Sequence, residues 1–416
     1  MNRELAGSSN KRLILATLFI GWIVLFIDRT VISLAVVQMS EDLSLAPSDI
    51  GMVLSSFFIG YAFMQIPGGF LADRFGSRKV IITAVLAWSI FTALTGLAWS
   101  LASLILIRVL FGLGEGSYSP SAAKAISDYF PHKERTKAQS TMMSSNPIGM
   151  VAAPIICAPL LVALGWRFTF LLLSVLGIVV VLLVWKFFKK DKLNAEEMDK
   201  NAPKQEKGAY KELLRNSMIW KMVIIWFGIS IAQWGLTAWM PTYLVQAKQI
   251  NLTSAGFLTA IPALVSAVVA FLSGRLIDRL GAYTKTVVII STLIVGLFVY
   301  LLIGSSSAWE AILYQSCASV GIAFMLAFVF SLPHRIMRAQ VVGTTVGILN
   351  FGGQSAGIVA PLIMGFLISA SGGSYTGAFM FVMGCSLLAT IVSATLPGSI
   401  LAKKVAAENS PAEVLG

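Results

Sequence analysis

An all-α membrane protein, with twelve transmembrane helices in two pseudo-symmetric six-helix bundles, is the fold class that three features of the sequence predict. The 416 residues are 57% hydrophobic and only 12% charged, with a mean hydropathy of +0.82. A soluble domain of that size needs more polar residue to wet its surface. Apolar runs of roughly 20 residues, the length that crosses a bilayer, recur from end to end. Finally, GFLADRFG (Gly69 to Gly76) returns as GRLIDRLG (Gly274 to Gly281), with Gly, Leu, Asp, Arg and Gly at matching places. Each copy follows the second apolar run of its half. Parallel six-helix repeats are one architecture of secondary transporters.

Each span is bounded by a charged or turn-rich break. The first half holds runs at 13–39, 49–72, 79–99, 101–124, 138–163 and 166–188, and the second at 219–246, 253–278, 284–304, 308–331, 342–370 and 376–398. The polar stretch from Lys189 to Ser217 is different in kind: long, charged and lysine-rich. It divides the chain into an N-terminal bundle (1–188), a central loop (189–218) and a C-terminal bundle (219–416). The first run lacks a small-residue cleavage site and is expected to stay as a helix.

Numbering the loops alternately sorts the charge. Arg3, Lys11, Arg12, Arg74, Arg78, Lys79, Lys133, Arg135 and Lys137 fall on one side, with the central loop, Arg275, Arg279, Lys285, Arg335, Arg338, Lys403 and Lys404. The opposite loops carry only Arg167 and Lys248. The positive-inside rule therefore places both termini in the cytoplasm. The formal net charge of +12 is explained by this topology, and no nucleic-acid partner is expected. Cys157, Cys317 and Cys385 sit inside apolar runs and read as inert thiols. His132 and His334 lie in short basic loops, so neither a metal site nor a cofactor is expected.

Four ionisable residues stand well inside the apolar spans: Asp28 and Arg29 in the first, Arg108 and Glu115 in the fourth. A central charge costs at least ~2.5–3.5 kcal/mol to insert, and such groups pair with one another and face a cavity. Arg108 and Glu115 are two helical turns apart and share a face. With both acids ionised the cluster is neutral. Protonating Asp28 and Glu115 would leave Arg29 and Arg108 uncompensated and ready for an anion, which couples proton entry to anion entry. A purely structural set of ion pairs would be weakly stabilising, because desolvation offsets the Coulomb gain.

The motif GGFLADRFGSRK (Gly68 to Lys79) resembles the signature loop of the major facilitator superfamily, over essentially the whole chain. That resemblance implies a conformational role for Gly69, Asp73, Arg74, Gly76 and Arg78, and for Asp278 and Arg279 in the second copy. FIDRT (Phe26 to Thr30), the Arg108 to Gly116 segment and GYAFMQIPGG (Gly60 to Gly69) resemble the anion:cation symporters of the superfamily, which include sugar-acid carriers. The likeness implies that Asp28 and Glu115 accept protons, that Arg29 holds a substrate carboxylate and that Arg108 partners the acids. It also implies pocket positions for Tyr61 and Asn146. Phe26 departs from the pattern, which often carries an aromatic hydroxyl there. Applying the offset of the repeat to Asp28 lands on Gln233 in the seventh span, a helix in which relatives handling dianions or organophosphates tend to have an arginine; the resemblance thus favours a hydroxylated monocarboxylate.

Tyr61 and Gln65 share a face, Asn146 and Asn350 occupy corresponding places in the two halves, and Gln354 follows Asn350 by a turn. Each amide can hydrogen-bond a substrate hydroxyl or tie two helices together; Gln233, Tyr61 and Asn350 are the preferred lining residues. The expected function is a monomeric, proton-coupled importer of a small organic anion (a hexuronate, aldonate or aldarate) in a bacterial plasma membrane, with no enzymatic step. A drug or organic-anion antiporter and a transporter-like membrane sensor are the alternatives.

Overall fold

The computed structural model describes residues 2–188, 215–280, 283–336 and 339–397. Among them the chain is all-helical: α1 (Asn2–Asp42), α2 (Pro47–Phe75), α3 (Ser77–Gly96), α4 (Leu101–Gly116), α5 (Tyr118–Tyr129), α6 (His132–Met143), α7 (Ser145–Phe187), α8 (Ser217–Gln246), α9 (Leu252–Leu280), α10 (Thr284–Ile303), α11 (Ala308–Ile336), α12 (Ala339–Ala370) and α13 (Thr376–Ala394). Eleven stretches are long and apolar enough to cross a membrane. One of them, His132–Phe187, runs to 56 residues and contains two passes. They part at Gly165, whose φ of 72° and ψ of 165° lie in a region essentially reserved for glycine. The total is the twelve passes expected.

Two expected spans are interrupted. The fourth breaks at Ser117 between α4 and α5, and the fifth at Ser144 between α6 and α7. Most of the expected central loop lies outside the described residues, as do the side chains of Asp278 and Arg279 on α9.

Small residues bring the helices together. At Gly112 on α4, a Cβ would collide with the Phe57 carbonyl oxygen and stand 2.8 Å from the Tyr61 nitrogen on α2. Only glycine allows that approach, and it sets Phe57 and Tyr61 beside the charged face of α4. Gly51 on α2 and Gly365 on α12 act similarly across the two halves. A Cβ at Gly51 would stand 2.7 Å from the Pro361 carbonyl oxygen, and one at Gly365 would stand 2.6 Å from the Pro47 carbonyl oxygen. The start of α2 is thereby sealed against α12. At the same end of the bundle, Gly256 on α9 packs on Pro154 and Ala158 of α7.

Candidate functional site

The four intramembrane charges converge as expected. Arg29 projects from α1 and donates from Nε to Glu115 Oε1 on α4 at 3.0 Å, and its Nη2 reaches the same oxygen. The guanidinium is floored by rings: its carbon lies 4.5 Å from the Tyr61 centroid, 4.9 Å from Phe57 and 5.4 Å from Phe26. Arg108 faces Phe111 at 4.6 Å and Phe57 at 5.5 Å. It interacts electrostatically with both acids. Asp28 is 1% exposed and Glu115 fully buried. Neither Asp28 oxygen accepts a hydrogen bond, and Glu115 Oε2 and Arg108 Nε are also without partners. Arg108 and Thr92 are among the polar groups that face Asp28.

A cavity between the two halves meets this cluster. One compartment, with about 490 Å³ of empty volume, is lined by Arg29 and Arg108 together with Phe26, Phe57, Phe58 and Trp234. A second, of about 670 Å³, extends between α8, α9 and α11 past Gln233 and Gln315. Thr30, Ser33, Met150 and Thr237 line both, so the two compartments adjoin. The arginines therefore reach the cavity, whereas the acids stand behind them. A guanidinium held by one oxygen of a carboxylate, on a cavity wall, can exchange that partner for an incoming anion.

The remaining expected lining residues divide. Gln233 lines the second compartment. Tyr61 stands under Arg29 instead of lining either space. Asn146 is half-buried with its Oδ1 unpartnered, and it lines neither compartment. Asn350 donates to Gln65 Oε1 at 3.2 Å, a polar tie between α12 and α2. Gln315 was not anticipated. A glutamine within an apolar run carries no periodic signal that separates a cavity-facing amide from a helix-tying one.

A model of the Major Facilitator Superfamily matches residues 18–361. The chain belongs to that superfamily. It is 30% identical over 404 residues to the probable sulfoacetate transporter SauU of Cupriavidus necator, covering 92% of this chain and 93% of that protein. It is 25% identical to the hexuronate transporter of Bacillus subtilis, covering 96% and 98% of the two chains. Among solved structures, a bacterial homologue of the human lysosomal transporter Spinster superposes with a TM-score of 0.78 at 22% identity, covering 92% of this chain and 95% of that one. Membrane transport, and no enzymatic reaction, is the business of this superfamily.

The superfamily's signature loop joins α2 to α3, turning at Gly76 with φ 86°. Asp73 pairs with Lys124 of α5 at 3.4 Å, and Ser77 donates to Asp128 at 2.7 Å. Arg78 donates to the Trp185 carbonyl oxygen at 2.8 Å, and Arg74 lies over Phe75. Gly69 faces Pro120 of α5. These contacts tie α2 and α3 to α5 and to the end of α7. Lys124 and Asp128 were missed because sequence spacing cannot show which helix end packs beside the loop.

Proposed function

We propose that the protein is a proton-coupled symporter that imports a small organic anion of the sugar-acid class. The observation that carries this reading is the Arg29–Glu115 pair: a cavity-lining guanidinium held from behind by a buried carboxylate. While Glu115 is ionised, it occupies Arg29. A proton on Glu115 releases the guanidinium, and the substrate carboxylate takes its place. Asp28 is the second proton acceptor, acting on Arg108 in the same way. Tyr61 orients Arg29 through its ring, and Gln233 meets the substrate from the C-terminal half. Asn146 and Asn350 serve the same pocket when the halves move. A relative whose name specifies hexuronate supports the sugar-acid class, and one whose name specifies sulfoacetate supports an organic anion more broadly.

Alternating access rocks the bundle 1–188 against 219–416 about the cavity, with 189–218 as the connecting loop and Asp73, Arg74, Arg78, Asp278 and Arg279 steadying the helix ends. One chain supplies the whole cavity, so the transporting unit is a monomer. Both termini are cytoplasmic, in a bacterial plasma membrane. The test is uptake into proteoliposomes of labelled galactonate and glucuronate, with and without an inward proton gradient. Gradient-dependent accumulation is expected, and Glu115→Gln should abolish it while leaving substrate exchange. Accumulation that ignores the proton gradient, or survives Glu115→Gln with unchanged pH dependence, would overturn the coupling.

A further inference from the structure

The larger compartment has a chemistry of its own. Among the described residues, none of those lining it carries a charge. Its walls are nevertheless polar, with Gln233, Thr237, Thr259, Ser266, Gln315 and Ser319 contributed by α8, α9 and α11. Several of the hydroxyl hydrogens there are already committed. Thr237 donates to the Gln233 carbonyl at 2.7 Å, Thr259 to the Gly256 carbonyl at 2.9 Å and Ser319 to the Gln315 carbonyl at 2.9 Å. Thr30 and Ser33, at the junction of the compartments, likewise donate to their own helix. Such hydroxyls turn only lone pairs toward the cavity. The side chain of Gln315 is almost fully buried, and its Oε1 has no partner. A buried acceptor of that kind is costly until a donor reaches it.

A polar wall without a cation, its threonine hydroxyls turned as acceptors and its two amides able both to donate and to accept, suits O–H groups. A second carboxylate or sulfonate would bring a charge with no counter-charge. From this juxtaposition we infer that the compartment receives the neutral, hydroxylated end of the substrate and that Gln315 is its specificity-determining residue. The cargo is then a monoanionic polyhydroxy acid, and diacids of the same length are excluded. This rests on the reading that Arg29 holds the anionic end.

Equilibrium binding to the purified protein separates the two readings. Galactonate and galactarate differ only in oxidation at the far carbon, and hexanoate lacks the hydroxyls. Galactonate should bind at least about tenfold more tightly than either. Gln315→Leu should erase most of that advantage over hexanoate while leaving hexanoate binding unchanged. Gln315→Arg should raise galactarate above galactonate. Equal binding of galactonate and galactarate, abolished in both cases by Arg29→Ala, would overturn this inference and leave the anion reading intact. No binding of any of the three to folded wild-type protein would overturn both. A Gln315→Leu effect equal on all three ligands would overturn the assignment and reduce Gln315 to a packing residue. Where Gln315→Leu does erase selectivity, Gln315→Asn, which keeps the amide, should retain part of it, and a loss as complete as that of Gln315→Leu would also overturn the assignment.

Discussion

Separating Arg29 from Glu115 should leave a charge stranded in the interior, and the geometry sets the size of the effect. Glu115 is the ion-pair partner of Arg29 among the described residues. Removing one member of a buried pair costs about 3–5 kcal/mol. In Glu115→Gln the guanidinium keeps its contacts with Phe26, Phe57 and Tyr61, each worth about 0.5–2 kcal/mol, so the loss should fall near the lower end, about 3 kcal/mol. Arg29→Met strands the carboxylate and forfeits the ring contacts as well. The double variant strands neither charge. Its loss should therefore be smaller than the sum of the single losses by about 2 kcal/mol or more. The pH response should also differ. A lone carboxyl can shed its charge by taking up a proton, so the Arg29→Met deficit should shrink as pH falls. A guanidinium has no such escape, and the Glu115→Gln deficit should not. Thermal unfolding in detergent, followed with a thiol-reactive fluorophore, is a suitable assay because Cys157 is buried in the native protein. Single losses that simply add, within about 0.5 kcal/mol, would refute the pair as an energetic unit.

Three further outcomes are expected. Gly112→Ala would push a methyl group into the Phe57 backbone and crowd the Tyr61 nitrogen; overpacking of this kind costs about 1–3 kcal/mol. Because the same residues floor Arg29, anion affinity measured by calorimetry should fall with stability, and wild-type affinity would argue against the aromatic floor. Gly165→Ala meets no neighbour but imposes a backbone conformation foreign to alanine, so a loss of about 1–3 kcal/mol should appear in thermal unfolding with substrate affinity unchanged. Asp73→Asn breaks a pair whose carboxylate is 69% exposed, so its effect on melting should stay below about 1 kcal/mol. A lowered transport rate at unchanged affinity would then mark Asp73 as conformational, and an unchanged rate would remove it from the cycle.

Much of the fold was legible because lipid imposes a one-dimensional rule. A run of apolar residues long enough to span must be helical, since no water satisfies its backbone. Asp28, Arg29, Arg108 and Glu115 were visible for the complementary reason: a charge in such a run is expensive unless it has a partner and a purpose. The neutral polar residues were less legible. Asn350 and Gln315 look alike in sequence, each an amide within an apolar run. In the structure one ties α12 to Gln65 of α2, and the other lines the cavity with its side-chain oxygen buried and unpartnered. Which of these an amide does depends on the neighbouring helix, and no period in its own helix encodes that neighbour. The one-residue breaks at Ser117 and Ser144 were not anticipated either.

By itself, the sequence determined the number of membrane passes, the duplication and the presence of four opposed charges, all of which follow from the cost of moving residues out of water. Tertiary structure alone decided that both arginines reach the cavity while both acids stand behind them. It also decided that Phe57 and Tyr61 floor Arg29 and that an uncharged, polar compartment adjoins the charged one. Those facts depend on which helix faces lie together, and close packing at positions such as Gly112 sets them across stretches of chain far apart in sequence.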